Sequence, residues 1–366
     1  MKLLQGIKYV GLTSLALGSS LSMASLTFDA DGAGGVAAVQ ADLFDWAPSS
    51  FLARNGTTAI ANWNATQAAN PGFTQAEVTA ACGSACYIDV YTHASLATTS
   101  LTNGTFTTPA GLGTDYEITI AAHFVETVSG TGNIGGLEIA AFSTVAGAPA
   151  SLEMFYDDLG DDSNGTLDAN NLMGNGFNDG KLILSATSIG DSTGTFNVSS
   201  IAGGALDQAG SDGYPGILTV AGSGNQADIE LGDFDLDFSH FLTDLADFSF
   251  SFANISQNLP FVSVDPSECF TDSFGGTAIG GTRANISADC DAIFSALAGL
   301  DGQGGLTPIL GLINGLGIGG SDFLAQTDFN SPITGSTPSP APLALMSIGL
   351  LGLGFFGRKK SLKKAS

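Results

Sequence analysis

Apolar and polar positions alternate with a period of two along much of this chain. Tyr116, Ile118 and Ile120 alternate with Glu117, Thr119 and Ala121. Further on, Asp233, Asp235 and Asp237 alternate with Phe234, Leu236 and Phe238, and Phe248, Phe250 and Phe252 with Ser249 and Ser251. In a strand successive side chains point to opposite faces, so one face offers aromatics to a core and the other offers carboxylates or hydroxyls to water. Strands are predicted over 26–31, 37–46, 87–93, 112–145 with a loop at 130–136, 152–156, 181–188, 195–201, 217–220, 228–252 and 322–329. Helical signals are few. Thr74 followed by Glu77 has the spacing of a capping box and predicts a helix over 75–82. Ile293, Phe294 and Leu297 suggest another over 287–299, and Asn55-Gly56 reads as a turn. The expected fold is mainly β: an antiparallel β-sandwich or jelly-roll-like body with a few short helices, plus terminal hydrophobic helices.

The two ends break the alternation. Residues 1–24 read as a signal peptide, with Lys2 and Lys8, an apolar run over 9–21, and Ser22 and Ala24 before a cut at Ser25. An acidic β-rich body is expected over 25–330 and a Pro/Ser/Thr linker over 331–342. Residues 343–366 read as a transmembrane helix with a basic tail, in which Arg358, Lys359, Lys360, Lys363 and Lys364 follow an apolar run over 343–357. A helix over that run would reach roughly 22 Å, against a hydrocarbon core of roughly 30 Å, so the span requires snorkelling lysines or a thin bilayer. On this reading the protein is exported, transiently anchored in the inner membrane, and then placed at the cell surface or in the extracellular matrix.

A short Pro-x-Pro motif, an apolar helix and a basic cluster at the C-terminus resemble the PEP-CTERM sorting signal. Here Pro340-Ala341-Pro342 stands where that family has Pro-Glu-Pro, with Arg358, Lys359 and Lys360 as the basic cluster. The resemblance implies an exosortase-like membrane peptidase as a partner. The acidic turn after 152–156, the Asp-rich strand region and residues 322–330 are similar to flocculation-associated members, which implies a surface or matrix role with extracellular polysaccharide as partner and no known catalytic residues.

Charge narrows the function classes. Ten Lys and Arg face 35 Asp and Glu, and the formal net charge is −25. Without the two ends, only Arg54, Lys181 and Arg283 remain against all 35 acids, a body of net charge −32. Nucleic acid, which needs basic phosphate contacts, is excluded as a partner. With 44% hydrophobic residues and 24 Phe the body has ample material for a core, and 50 Gly call for many turns.

Four cysteines suit an oxidising compartment, where Cys82 with Cys86 and Cys269 with Cys290 are the expected local disulfides and free buried thiols the alternative. Asp157, Asp158, Asp161, Asp162, Asn164 and Asp168 form the densest acidic segment and offer oxygens of the kind a structural calcium takes, outside any EF-hand register. His93, His123 and His240 stand isolated, and neither a nucleophile elbow nor a phosphate-binding loop is present. The expectation is a non-enzymatic exported surface or extracellular-matrix protein supporting polysaccharide-dependent aggregation, floc or biofilm formation, with self-association left open. The alternatives are a secreted carbohydrate-binding module, with Trp46, Trp63, Tyr87 and Tyr91 as platform candidates, and a glycan hydrolase working through paired carboxylates.

Overall fold

A computed structural model describes residues 25–35, 37–134, 137–158, 177, 180–205, 218–257, 277–278, 281–282 and 323–335, all within one unit, Ser25–Ser336. The strands are β1 (Leu26–Asp29), β2 (Ala38–Ala41), β3 (Leu43–Trp46), β4 (Ser49–Arg54), β5 (Tyr87–Ser100), β6 (Phe106–Thr107), β7 (Tyr116–Ile134) and β8 (Leu137–Thr144). They continue with β9 (Ser151–Asp158), β10 (Lys181–Ile189), β11 (Thr193–Ala205), β12 (Leu218–Leu236), β13 (Leu245–Gln257), β14 (Thr277–Ala278), β15 (Gly281–Thr282) and β16 (Phe323–Gly335). Two α-helices, α1 (Gly56–Ala69) and α2 (Gln75–Cys82), lie between β4 and β5.

The sandwich or jelly roll expected from the alternation is corrected by the strand pairing. A sandwich leaves two sheets with free edges, whereas here the sheet returns on itself. β10 pairs β9, β9 pairs β7, and β7 pairs β5. β5 pairs β4, β4 pairs β16, and β16 pairs β13. β13 pairs β12, and β12 closes an eight-stranded antiparallel barrel on β10. Closure alone removes sheet edges, and eight strands leave an interior that side chains fill.

Three of the staves are broken strands. Along β7, residues 116–123 pair β9 and residues 126–134 pair β8. Along β12, residues 231–236 pair β10 and residues 218–226 pair β11. β8 and β9 therefore occupy successive lengths beside β7, with β11 and β10 beyond them beside β12. Between β16 and β5, β4 and β3 share the gap in the same way. The breaks fall at residues 47–48, 145–150 and 190–192, and two contain proline, Pro48 and Pro149, which cannot donate to a ladder. The second and third breaks are tied together, since Thr144 Oγ1 donates to Gly190 O (3.1 Å) and accepts from Ser192 N (2.8 Å).

One face of these strands builds the core. Ile118, Ile120, Phe124, Leu152, Met154, Leu184, Ala186, Phe248 and Ile333 are buried in one cluster, against which Phe234 and Leu236 pack. Phe28, Phe44, Trp46 and Phe248 extend it through edge contacts: Phe28–Phe44 at 4.9 Å between ring centroids, Phe44–Trp46 at 6.1 Å and Phe44–Phe248 at 6.3 Å. Asp233 and Asp235 are exposed, as the alternation requires. Phe238 departs from it: the strand ends at Leu236, and Phe238 sits in the following turn, 63% exposed. β16 runs on through Gly335, and its Ser331 Oγ accepts from Trp46 Nε1 at 2.8 Å.

α2 and its capping box form where the sequence predicts. Glu77 N donates to Thr74 Oγ1 at 3.3 Å, and Thr74 N donates to Glu77 Oε2 at 2.8 Å. α1 replaces the turn expected at Asn55-Gly56: Asn55 holds a left-handed φ of 65°, and the helix starts at the next residue. Its anchors are Ala59 and Trp63, four apart and both fully buried. A disulfide joins Cys82 to Cys86, their Cα atoms 5.8 Å apart.

The membrane-spanning helix expected from the sequence, and the inner-membrane stage that rested on it, are not met among the described residues. No helix among the described residues is long and apolar enough to cross a membrane. The two α-helices have 14 and 8 residues, and a crossing takes about 20. Residues 1–24, the apolar run over 343–357, the motif residues Pro340, Pro342, Arg358, Lys359 and Lys360, the helix over 287–299, and Cys269 with Cys290 lie outside the described residues.

Two stability outcomes follow from this packing. Phe44→Ala empties a site between three aromatic rings and should lower unfolding stability by about 3–5 kcal/mol in urea titration, with Phe44→Leu costing less. Replacing Cys82 and Cys86 together by Ser should cost about 2 kcal/mol, the loop-closure value for so short a ring, measured in the same way.

Candidate functional site

A gathering of titratable groups lies where the β1–β2 hairpin meets the turn after β12. The hairpin is sewn to that turn by backbone bonds: Asp29 N donates to His240 O (2.8 Å), and Leu242 N donates to Thr27 O (3.0 Å). Phe28 and Phe241 form a β-bridge, and their ring centroids are 5.3 Å apart. His240 is 2% exposed, with its Nδ1 3.2 Å from Asp29 O. A carbonyl only accepts, so Nδ1 carries the proton. The other edge of the ring lies over Gly32, where a Cβ would be 2.7 Å from Nε2. Gly32 also has φ +63°, so this position requires glycine for both backbone and space.

The hairpin turn carries its own acids. Asp29 is 1% exposed; its Oδ2 accepts from Gly34 N at 2.6 Å, and its Oδ1 is buried without a hydrogen-bond partner. Burial raises the Asp29 pKa, Gly34 N–H opposes the shift, and the neighbouring Asp31 carboxylate reinforces it. Tyr116 and Tyr156 stand alongside, their rings 5.3 Å apart and Tyr156 5.0 Å from His240. Burial pushes the Tyr116 phenol well above its ordinary value, with the Asp31 carboxylate adding to the shift. Tyr116 Oη donates to Ala110 O at 3.0 Å.

Lys181 closes the group from outside. Its Nζ lies 2.5 Å from Asp237 Oδ2, and Asp237 Oδ1 accepts from Ser239 N (2.8 Å) and Ser239 Oγ (2.7 Å). The Lys181 contact, then the Ser239 donors, hold the Asp237 carboxyl far below the usual range. Burial, then the charge of Lys181, lowers the His240 pKa, while Asp237 and the carbonyls of Asp29 and Ala30 pull the other way. The arrangement keeps a neutral imidazole under the hairpin and an ion pair beside it. Chemically it works as a latch, because the hydrogen bonds of His240 go to backbone of the hairpin and of its own turn.

The residues singled out from the sequence are dispersed. Asp157 and Asp158 are consecutive in β9, so they point to opposite faces. Asp157 pairs with Glu117 and is buried, whereas Asp158 accepts from Tyr156 Oη at 3.4 Å. Asp161, Asp162, Asn164 and Asp168 lie outside the described residues. Among the described residues no group of three or more His, Cys, Asp or Glu side chains is placed to hold a metal ion.

His93, Glu117, Glu153 and Asp157 share the sheet face opposite the core and are buried there, each with an interacting neighbour. Phe177 covers part of this face, stacking on His93 at 4.0 Å and accepting through its carbonyl from Thr119 Oγ1 at 3.0 Å. His123 stacks on Tyr91 at 4.5 Å and lies 3.4 Å from Asp89 Oδ1. Of the aromatics considered for a sugar platform, Trp46, Trp63 and Tyr91 are buried, and Tyr87 is 37% exposed.

Sequence reasoning missed the latch because Asp29 and His240 are 211 residues apart. The one local signal was the Asp29-x-Asp31-Gly32 turn itself. No protein-family model, curated protein or solved structure matches this chain.

The latch has a pH signature. His240 has a lowered folded pKa, so its contribution to stability is full above the ordinary histidine value of about 6.5 and is lost as pH falls through and below it. The melting temperature should drop between pH 7.5 and pH 5, and His240→Gln should flatten that slope. Equal slopes in the two proteins would remove the latch assignment.

Proposed function

We propose that this chain is a non-enzymatic surface or extracellular-matrix protein that supports polysaccharide-dependent aggregation, as in flocs or biofilm. The observation that carries the reading is the division of β12: Glu230, Asp233 and Asp235 are exposed, while Ile229 is buried and Phe234 packs on the core. A closed barrel with a wet carboxylate face, in a chain of net charge −25, suits a hydrated polymer matrix, where a charged surface keeps its water. The Cys82–Cys86 disulfide supports the same reading, since such bonds persist in oxidising surroundings.

The test is a deletion strain with polysaccharide output measured separately. Aggregation should fall while the polysaccharide is still made, and re-expression of the chain should restore it. Unchanged settling in the deletion strain would exclude the role.

A further inference from the structure

A cleft of about 730 Å³ opens between α2 and the ladder formed by β7 and β8. Its polar lining is Thr74, Gln75, Thr79, Ser129 and Ser143, and Ala76 and Ala80 supply methyl groups. None of these side chains ionises, which stands out in a chain with 35 acidic residues. The carboxylate nearest in sequence, Glu77, is turned back into the capping box, where its Oε2 accepts from Thr74 N at 2.8 Å and from Thr74 Oγ1 at 2.9 Å.

Three features fix this lining. The β7–β8 register shifts between Val128, opposite Phe142, and Gly130, opposite Ala141, so Ser129 is an extra residue on β7. Such bulges re-aim side chains and recur beside binding sites. Gly130 leaves the strand bare beneath Gln75: a Cβ there would lie 2.8 Å from Gln75 Oε1 and 3.2 Å from Nε2. The carboxamide therefore seats directly on the backbone. Thr79 Oγ1 is held between two partners, accepting from Trp63 Nε1 at 2.9 Å and donating to Val128 O at 3.0 Å. Phe73, next in the chain to Thr74, is 43% exposed.

We infer that this cleft binds a neutral, hydroxyl-rich glycan segment, an inference that rests on the proposed polysaccharide-dependent role and names its contact site. Sugars present hydroxyl donors and acceptors beside C–H patches, which matches amide and hydroxyl groups interleaved with alanine methyls. A uronate polymer would meet the repulsion of a strongly negative chain. Addition of a polypeptide strand needs an open sheet edge, and at this wall β7 and β8 are paired with each other.

The structure supplies a reporter. The indole N–H of Trp63 is bonded to a hydroxyl of the cleft, and that of Trp46 is bonded to Ser331 in the core. Nitrogen-15-labelled protein is titrated with cellohexaose, maltohexaose and chitohexaose, and separately with oligogalacturonate. At least one neutral hexasaccharide should shift the Trp63 indole signal saturably while that of Trp46 stays in place, and oligogalacturonate should shift neither. Gln75→Ala should weaken binding about ten-fold, the value of one lost pair of amide contacts, with an unchanged Trp46 signal reporting an intact fold. Gly130→Ala, which displaces the carboxamide, should act in the same direction.

Silence from all three neutral sugars, an equal response to the uronate, or full affinity in both variants overturns the assignment. A silent titration beside lost aggregation in the deletion strain rejects the cleft and leaves the matrix role standing. Saturable binding beside unchanged aggregation rejects the role and keeps the cleft.

Discussion

Closure of the antiparallel sheet is the constraint on which the rest of this structure depends. Every stave of the barrel has a hydrogen-bonded neighbour on each side, so backbone groups that would otherwise be orphaned are satisfied without an exposed edge. Two 19-residue strands make this feasible. β7 and β12 each pair with three neighbours, and between them the shorter pairs β9–β10 and β8–β11 follow one another. A full-length partner beside each long strand would need an unbroken run of ladder donors. Breaks across 145–150 and at 190–192 relieve that demand, the Thr144 side chain holds them in step, and the break at Pro48 does the same between β16 and β5.

The acidic exterior and the aromatic interior are two results of one alternation. A strand that packs Phe234 on the core must send Asp233 and Asp235 outward, so the same strand that builds the core also sets the surface field. The described chain has few cations to neutralise that field. Lys181 goes to Asp237, beside the hairpin latch, where it joins the barrel to the turn after β12. The neutral cleft at α2 lies among groups that carry no charge, and its nearest carboxylate in sequence is occupied as a helix cap.

Local features of the fold were legible in the sequence, and non-local ones were not. The capping box at Thr74 and Glu77 needs only four residues to define it, and the helix it starts has the predicted bounds. The strands around Tyr116 and Phe234 were equally plain, because period-two alternation is a local signal. The choice between sandwich and barrel was hidden, since both need the same alternation, and only the partner of β10 tells them apart. α1 was obscured by Asn55-Gly56, a strong turn signal which here supplies the left-handed residue before a helix. The latch was invisible for a different reason: Asp29 and His240 meet only after the hairpin folds across most of the chain. Gly130 reads as the start of a loop, and its value, with Ser129, as a bulged wall appears only once Phe142 and Ala141 are set opposite.

The position of β16 has a consequence for the order of assembly. This strand, the last one described, sits between β13 on one side and β4 with β3 on the other. Its Ser331 also receives the indole N–H of Trp46, 285 positions earlier. A nascent chain can form the β4–β5 and β7–β8 pairs early, but the ring still lacks a stave until Phe323–Gly335 has emerged. Until then β13, β3 and β4 each present an unpaired side, and the loop to be closed spans nearly the whole domain. The polypeptide must therefore remain unaggregated in an open form for most of its synthesis, and mutual repulsion among its carboxylates favours that outcome.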